Sequence, residues 1–441
     1  MRLFPLVFRT NIAPHPDFIY DILTLMQPSH CRCLALSVTS AVLALLPASA
    51  GLQAGTIGPY SQTTIVSGLG LIAGAGPDNR SPGPSGMAVT PDGRVLITNL
   101  DGTVQVVQNG ALVASPAIKI NVLSVTPASD RGLMSIAVDP HFSSNGYVYL
   151  YYVSPDANGT TFHNTLSRFT MTGNTLDPAS EHVVIQLPVE TISTNVFHMG
   201  GGMAFGADGH IYLGVGDQAS ATNVAQDLGS YYGKILRLNP DGSTPSDNPF
   251  VSRSGAVGDI YAYGLRNPFS LSVQPGTNNV FVNDVGEASW EEIDALTPGA
   301  DYGWNQAEGP DLTGQTANPY YYYPHNFSLP FCSGAIVGGT YSASLSPAFT
   351  ANQYYFGDFC AGTINGINVT GTPVVTPLAT GLGFLVATAA APDGGLYYLT
   401  RSYTGVLGEI QPVPEPGGLA AFGVAMLLVV LRRASLKPAP R

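Results

Sequence analysis

Apolar residues recur in short runs along most of the chain, and turns that contain proline, aspartate or glycine separate pairs of these runs. Residues 86–97, for example, place Pro-Asp-Gly between two apolar runs. An Asp-Gly turn between alternating runs is typical of a β-hairpin. Five copies of this pattern are recognisable, and they begin near Met87, Ser135, Met203, Leu271 and Ala389.

The spacing of these copies predicts the architecture. The last interval is about twice as long as the others, which indicates a sixth unit whose hairpin is not recognisable. Six units of roughly 60 residues, with four short strands each, are typical of a propeller. We therefore predict an all-β fold, a six-bladed β-propeller of four-stranded antiparallel sheets, across residues 51–412, with seven blades as the alternative. The long connections at 218–260 and 296–335 are expected on one face, where sites usually lie.

Both ends of the chain have the composition of transport signals. Residues 34–50 form an apolar run that ends in an Ala-x-Ala cleavage pattern at Ala48 and Ala50. Met26 would start a signal peptide of ordinary length. We therefore assign residues 1–50 to an N-terminal extension and signal peptide that contribute nothing to the fold, and we predict export across the inner membrane. A buried N-terminal helix is the alternative.

Residues 413–441 contain Val-Pro-Glu-Pro at 413–416, an apolar stretch at 417–431 and two arginines at 432–433. This arrangement resembles the PEP-CTERM sorting signal of Gram-negative bacteria, which an exosortase reads and removes. The apolar stretch is shorter than the about 20 residues of a stable span, but with its arginines it can hold a chain in the membrane transiently. The resemblance implies a cell-surface or extracellular protein, with a plain membrane anchor as the alternative.

Charge and cysteine content narrow the class of protein. The chain contains 17 Lys+Arg and 29 Asp+Glu, so its net charge is −12. No basic stripe is available to bind the phosphates of a nucleic acid. Cys31 and Cys33 fall within the predicted signal peptide, which leaves Cys332 and Cys360 in the exported domain. An even pair in an exported domain predicts a disulfide, because a metal site would need more ligands.

A single histidine, His198, precedes three consecutive glycines, and Gly-Asp-Gln at 216–218 ends the strand-like run that follows. Glycines leave the imidazole uncovered, so a flat ligand could approach backbone and imidazole together. In a chain with about 10% charged residues, we predict that His198 is a catalytic base. A histidine hydrogen-bonded within a blade is the structural alternative.

Several short motifs follow one another over about residues 80–400. They are Asp-Arg-Gly-Leu-Met-Ser-Ile-Ala at 130–137, His-Met-Gly-Gly at 198–201, Gly-Asp-Gln at 216–218, Gly-Lys-Ile-Leu-Arg-Leu-Asn-Pro-Asp-Gly at 233–242, Tyr-Ala-Tyr-Gly-Leu-Arg-Asn-Pro at 261–268, Asp-Val-Gly-Glu at 284–287, Trp-Glu-Glu-Ile at 290–293, Tyr-Gly-Trp at 302–304 and Gly-Asp-Phe-Cys at 357–360. Each motif is weak alone. Together and in this order, they resemble the glucose/sorbosone dehydrogenase family of soluble quinoproteins, whose fold is a six-bladed propeller.

The resemblance implies that pyrroloquinoline quinone (PQQ) binds at one end of the propeller with calcium, and that the protein oxidises an aldose or a related polyol. His198 matches the base that takes the proton of the anomeric hydroxyl while hydride passes to the quinone. Arg266 and Asn267 match the pair that touches the quinone, and a guanidinium suits an oxygen that becomes negative on reduction. Gly286 and Glu287 match positions whose backbone carbonyls hold calcium, although Glu287 replaces a proline.

The remaining candidates follow from the same resemblance. Asp130 and Arg131 match positions that contact the sugar, and Asp217 is expected to orient the loop beside the site. Trp304 offers a flat apolar face to a sugar ring or the quinone. Arg401 is the cation near the C-terminal copy that could meet the quinone carboxylates. Turn formation for the acidic residues, gap filling between blades for the tryptophan and an ion pair between blades for Arg266 are the structural alternatives.

One departure from the family pattern affects the predicted cofactor. The family usually has a basic residue where this chain has Thr363, and each lost charge-assisted contact costs on the order of 1.5–3 kcal/mol. The leading hypothesis is an exported, PQQ- and calcium-dependent sugar dehydrogenase that passes electrons to an external acceptor, because the chain has no Cys-x-x-Cys-His haem motif. A catalytically silent propeller that binds extracellular polysaccharide is the main alternative, and a calcium-dependent lactone hydrolase is a third.

Overall fold

The computed structural model describes residues 55–69, 83–123, 130–158, 161–187, 197–220, 222–325, 332–401 and 404–413. The predicted signal peptide at 1–50 lies outside these ranges, as does the predicted sorting segment apart from Val413. Among the residues described, no helix has the length and apolar character needed to span a membrane. The two transport signals therefore stay predictions.

Within these ranges the strands form six antiparallel sheets, which we call blades I to VI. Two strands precede them, β1 (Gly55–Thr56) and β2 (Tyr60–Ser67). Blade I contains β3 (Pro84–Val89), β4 (Val95–Asn99), β5 (Thr103–Gln108), β6 (Ala111–Leu112) and β7 (Ile118–Lys119). Blade II contains β8 (Leu133–Val138), β9 (Tyr147–Pro155), β10 (Phe162–Thr172) and β11 (Thr175–Gln186), with a short helix α1 (Phe142–Asn145) after β8. Blade III contains β12 (Met203–Phe205), β13 (Ile211–Val215), β14 (Lys234–Leu238) and β15 (Ile260–Tyr263).

Blade IV contains β16 (Pro268–Val273), β17 (Val280–Asp284), β18 (Trp290–Ala295) and β19 (Tyr321–Pro324). Blade V contains β20 (Ile336–Tyr341), β21 (Gln353–Asp358), β22 (Thr363–Asn368) and β23 (Val375–Thr380), with a 3₁₀ turn at Ser342–Ser344. Blade VI contains β24 (Leu385–Ala390), β25 (Leu396–Thr400) and β26 (Val406–Pro412). Strand β1 is added to the edge of blade V, and β2 completes blade VI.

The first strands of the six blades form a closed ring. Strand β3 contacts β8, β8 contacts β12, β12 contacts β16, β16 contacts β20, β20 contacts β24, and β24 contacts β3. Each of these strands therefore lines the central axis, and the other strands of its blade lie progressively farther out. The predicted six-bladed β-propeller of four-stranded antiparallel sheets is confirmed.

Blade VI contains strands from the start and from the end of the described chain. Strand β2 pairs with β26 from Tyr60 opposite Pro412 to Ser67 opposite Val406. The side-chain amide of Gln62 adds a hydrogen bond of 2.6 Å to the hydroxyl of Tyr398. Because a strand from the start of the described chain completes the sheet at its end, the ring is closed by backbone hydrogen bonds rather than by side-chain packing alone.

The sixth unit, which the sequence pattern did not reveal, is blade V. Its hairpin of β20 and β21 is connected by the 3₁₀ turn at Ser342–Ser344 and by further residues up to Asn352, which has a positive φ of 57°. Three of the other copies have an Asp-Gly turn and one has a Pro-Gly turn, whereas the copy at Ser135 is connected through Asp-Pro and the short helix α1. The connection in blade V is longer and contains neither an Asp-Gly nor a Pro-Gly turn. The sequence therefore showed this unit only as an interval of twice the usual length between recognisable copies.

Large side chains fill the space between blades. Tyr149 of blade II, for example, shares one buried cluster with Leu213 and Leu236 of blade III. The residues that line the axis, where six strands converge, include many small ones alongside Met134, Phe269 and Leu271. They surround a cavity of about 90 Å³ whose walls include Gly86, Ser135, Gly202, Ser270, Gly339 and Thr388.

The strand order sends the candidate residues to one end of the propeller. In an antiparallel blade, the start of the first strand, the end of the second and the start of the third lie at the same end, which we call the top face. His198 precedes β12, Asp217 follows β13, and Arg266 precedes β16. The predicted disulfide is confirmed on this face, where Cys332 and Cys360 are bonded with their Cα atoms 5.4 Å apart.

Candidate functional site

His198 is held in an unusual backbone conformation at the top of blade III. Its φ is +60°, in the left-handed region that few residues other than glycine adopt. Its backbone N–H donates to Asp130 Oδ2 at 2.8 Å, and its carbonyl accepts from the Gln218 N–H at 3.1 Å. Strained backbone of this kind is concentrated at functional sites, so the conformation itself supports a role for His198.

The glycines around His198 are required by close backbone packing. A Cβ at Gly216 would overlap the carbonyl group of His198, and a Cβ at Gly200 would overlap the carbonyl oxygen of Gly214. The N–H of Gly200 donates to Asn267 Oδ1 at 3.0 Å. The glycines thus allow the His198 segment to lie directly on β13 and to contact the next blade.

Gly216→Ala is expected to lower the free energy of unfolding by about 1–3 kcal/mol, the usual cost of overpacking. The added methyl group must push the His198 carbonyl away, because no flexible side chain can yield in its place. Denaturant titration measures the change. Gly258→Ala is the matched control, since its Cβ would meet a movable methyl group of Thr244 at 3.3 Å. Equal stability of the two variants would contradict the packing described here.

The imidazole of His198 belongs to a chain of three side chains. Its Nδ1 lies 2.8 Å from Asp217 Oδ1, and Trp304 Nε1 donates to Asp217 Oδ2 at 2.7 Å. Asp217 is buried and the His198 side chain is 17% exposed. A carboxylate at Nδ1 favours the tautomer with its proton on Nδ1, which leaves Nε2 as a proton acceptor. This geometry suits a general base.

Arg266 is connected to the same chain of residues. Its carbonyl accepts from the Asp217 N–H at 2.8 Å, and its guanidinium carbon lies 5.5 Å from the centre of the Trp304 ring. Asp284 accepts the N–H groups of Arg266 and Asn267 at 2.9 and 2.6 Å. Burial raises the pKa of Asp284 to about 7, although these two N–H groups act in the opposite direction. Two adjacent backbone anchors thus fix the predicted quinone-binding pair beside His198.

The loop predicted to bind calcium is already engaged by side chains. Arg266 Nη1 donates to the carbonyls of Val285 and Gly286 at 2.9 and 2.6 Å. The N–H groups of residues 287–290, which include Glu287, converge on Glu308 Oε1 at 2.7–3.3 Å. These N–H groups lower the pKa of Glu308 against the opposing effect of its burial. Calcium at the Gly286 carbonyl would require the guanidinium to move away.

The other candidates lie on the His198 side of the site. Asp130 accepts the N–H of Met199 at 3.4 Å as well as that of His198, and burial raises its pKa. Burial lowers the pKa of Arg131, and the neighbouring Asp130 opposes this effect. Arg401 Nε donates to the carbonyl of Pro84 at 2.8 Å. Burial lowers the pKa of Arg401 to about 10, again opposed by Asp130.

Comparison with known proteins agrees with the ordered motifs. The model of the Glucose / Sorbosone dehydrogenase family matches residues 82–407. The chain belongs to this family. Aldose sugar dehydrogenase YliI of Escherichia coli is 26% identical over 351 residues, which cover 75% of this chain and 90% of the relative. Quinoprotein glucose dehydrogenase B of Acinetobacter calcoaceticus is 30% identical over 204 residues, 41% of each chain.

A solved structure of another sugar dehydrogenase shares the fold. The PQQ-bound form of aldose sugar dehydrogenase from Streptomyces coelicolor has a TM-score of 0.61 and 24% identity, and the match covers 81% of this chain and 100% of that one. The two relatives described above are thus named as dehydrogenases of sugars, at 26% and 30% identity to this member of the glucose/sorbosone dehydrogenase family.

The residues of this family member fit a quinone in one specific respect. Arg266 Nε is buried and has no hydrogen-bond partner among the described residues. A buried donor without a partner is costly, and an acidic, oxygen-rich ligand beside Trp304 would supply one. Arg401 adds a second cation, whereas Thr363, the first residue of β22, adds none. The calcium predicted at Gly286 and Glu287 fits less well, because Arg266 competes for the Gly286 carbonyl.

Sequence reasoning missed two features of the site. Glu308, which organises the loop at 286–290, lies in no recognisable motif. Asp294 lies two residues after Glu292 in β18, so the two side chains share one face of the strand. An alternating acidic pair within a buried strand is the signal that could have identified this second feature.

Proposed function

We propose that this chain is an exported, PQQ- and calcium-dependent dehydrogenase that oxidises an aldose or a related sugar and passes the electrons to an external acceptor. The observation that carries the proposal is the connected set of His198, Asp217, Trp304 and Arg266 on the top face. It combines a base that has a free ring nitrogen for a sugar hydroxyl with a cation that has an unsatisfied donor.

In this proposal His198 Nε2 takes the proton of the anomeric hydroxyl of the sugar. Asp217 keeps the Nδ1 proton in place and stabilises the imidazolium that forms. Trp304 fixes the second oxygen of Asp217, so the carboxylate cannot rotate away from the histidine. Asp130, whose Oδ2 accepts the His198 N–H, and Arg131 would bind the sugar beside His198.

PQQ, when bound, would supply the acceptor for the hydride of the sugar, and calcium would polarise it. Arg266, Asn267 and Arg401 are the residues that would hold the quinone, Arg266 through its Nε–H. Gly286 and Glu287 stay the predicted calcium-binding positions, and calcium there would require Arg266 Nη1 to release the Gly286 carbonyl. The export signal and the sorting segment complete the proposal, with an exosortase-type protease as partner and the cell surface or extracellular space as destination.

A reconstitution experiment tests this function. Purified protein is mixed with PQQ, with and without calcium, and absorption spectra are recorded before and after an aldose is added. We expect micromolar binding and bleaching of the oxidised quinone by sugar. Arg266→Gln should weaken quinone binding about 10- to 100-fold, because a charge-assisted contact is lost. Arg253→Gln, at an exposed position beside Phe250, should bind like the wild type.

The rival function is a catalytically silent propeller that binds extracellular polysaccharide. Thr363 in place of a basic residue favours it, as does Arg401, whose Nε is already bonded to a backbone carbonyl. This function would be supported, and the dehydrogenase proposal contradicted, if the protein does not bind quinone at micromolar PQQ and is retained on an immobilised matrix polysaccharide. Sugar-dependent bleaching that requires His198 would exclude it.

A further inference from the structure

A cavity of about 250 Å³ lies between blades IV and V. Its wall is formed by the outer strand β19 of blade IV, by strands β21, β22 and β23 of blade V and by the segment that follows Cys332. The described lining contains none of the residues that the dehydrogenase proposal assigns to sugar oxidation, but it contains a serine, Ser333. The cavity is therefore a second place in the molecule where a small ligand would meet a reactive side chain.

Ser333 is the outermost member of a chain of three polar side chains. Its Oγ lies 3.2 Å from His325 Nδ1, and His325 Nε2 lies 2.6 Å from Glu291 Oε1. The side chains of His325 and Glu291 are 2% and 0% exposed, whereas Ser333 is partly exposed and lines the cavity. The order from the cavity inward is hydroxyl, imidazole and carboxylate.

The carboxylate determines what each ring nitrogen of His325 does. Glu291 at Nε2 favours the tautomer with its proton on Nε2, so Nδ1 accepts the hydroxyl proton of Ser333. The second oxygen of Glu291 accepts the N–H of Ile336 at 2.8 Å, which fixes the carboxylate against β20. A hydroxyl bonded to a base that a carboxylate orients is the arrangement of an activated nucleophile. Here Nδ1 rather than Nε2 faces the hydroxyl, and either ring nitrogen can act as the base.

The backbone on both sides of Ser333 is constrained. Cys332 precedes it and is bonded to Cys360, which also lines the cavity. Gly334 follows it, and a Cβ there would come within 3.2 Å of the carboxylate and 3.3 Å of the imidazole. The disulfide and the glycine together hold the serine directly over the buried pair, and a nucleophile needs such fixed placement.

The cavity wall indicates the class of substrate. The rings of Tyr321 and Tyr323 stack with their centres 6.2 Å apart, and Phe356 lies 6.2 Å from Tyr323. None of the described residues on the wall is basic, and Asp358 adds a carboxyl group, so an anionic substrate would find no counter-ion. The amide of Asn365 offers a donor for a carbonyl oxygen. These features suit a neutral molecule that combines an apolar or aromatic group with a carbonyl.

We propose that Ser333, His325 and Glu291 act as nucleophile, base and orienting carboxylate, and that the cavity hydrolyses neutral carboxylic esters with a small apolar or aromatic group. This activity is separate from sugar oxidation and does not rest on the dehydrogenase proposal.

The reaction uses only the ester and water. Ser333 Oγ attacks the carbonyl carbon and passes its proton to His325 Nδ1. The bond to the alcohol oxygen then breaks, and the alcohol leaves with that proton. Water attacks the acyl group on Ser333 and gives a proton to His325, which returns it to Ser333 Oγ as the carboxylic acid leaves. Glu291 stays ionised and stabilises the imidazolium in both halves of the reaction.

Labelling and hydrolysis with the full chain, without quinone, test the proposal. A fluorophosphonate probe reacts with activated serines, peptide mass spectrometry locates the label, and p-nitrophenyl acetate reports ester hydrolysis. We expect the label on Ser333 and hydrolysis at least about 100-fold slower in Ser333→Ala than in the wild type. Ser254→Ala changes an exposed serine of a turn and should behave like the wild type. No label, a label on another residue, or equal hydrolysis by Ser333→Ala would overturn the proposal.

Glu291 has a test of its own. Glu291→Gln keeps the size of the side chain and an oxygen for the Ile336 N–H, but it removes the charge that stabilises the imidazolium. We expect kcat for p-nitrophenyl acetate to fall about 10²- to 10⁴-fold with KM nearly unchanged, a split that a merely structural carboxylate would not produce. Wild-type kcat would overturn the role of Glu291.

The location of the label in the wild type decides the proposal even if a variant does not fold. Because quinone takes no part in these experiments, failure here leaves the dehydrogenase proposal standing, and failure of quinone binding leaves the ester hydrolysis standing.

Discussion

His198→Asn is expected to lower kcat about 10²- to 10⁴-fold, the range that a positioned general base contributes. Asparagine is chosen because it tolerates the left-handed backbone of His198 better than most residues, so the fold should persist. Its amide cannot accept a proton from a sugar hydroxyl as the imidazole Nε2 can. Steady-state kinetics with an aldose, PQQ, calcium and a dye acceptor measure the loss, and circular dichroism checks the fold.

The matched control is another histidine. His141 lies between β8 and β9, at the end of the propeller opposite His198, and its side chain is 83% exposed. His141→Asn should keep wild-type kcat, and both variants should bind PQQ with wild-type affinity, because neither changes Arg266, Asn267 or Arg401. Wild-type turnover by His198→Asn would show that His198 is not the general base of the reaction.

The fold was predictable because its repeating unit carries a local signal. A hairpin with a tight turn depends on neighbouring residues alone, and five recognisable copies, three of them with an Asp-Gly turn, were enough to count the blades. The exception was blade V, whose connection between β20 and β21 contains a 3₁₀ turn and residues up to Asn352. The extra strand β1 at the edge of blade V, and the division of the outer strand of blade I into β6 and β7, have no comparable signal.

The site was only partly predictable, because its contacts join distant parts of the chain. His198, Asp217 and Arg266 could be nominated from ordered motifs, and strand order then explains why they share the top face. The bond from Trp304 to Asp217 spans 87 residues and follows from no local pattern. The four N–H groups that converge on Glu308 are equally non-local. Pairing between strands determines such contacts, and a single sequence does not show it.

Lys234 illustrates a motif residue whose role becomes clear only in the structure. It is the first residue of β14 and is 0% exposed. Its ammonium donates to the carbonyls of Val224, Ala225 and Tyr232 at 2.8, 2.9 and 2.6 Å. The same segment contains Gln226, whose side chain donates to the Trp304 carbonyl at 2.9 Å. Lys234 therefore supports the loop on which the position of Trp304 depends.

Lys234→Met is expected to lower the free energy of unfolding by about 2–4 kcal/mol, because buried carbonyl groups lose their donor and methionine cannot replace it. Guanidinium titration measures the change, and Lys119→Met is the control. Lys119 is 54% exposed and pairs with Asp101 at 2.6 Å, and an exposed pair of this kind contributes at most about 1 kcal/mol. A Lys234→Met protein as stable as the wild type would show that the loop is held by its own backbone bonds, and that the support for Trp304 does not come from this ammonium group.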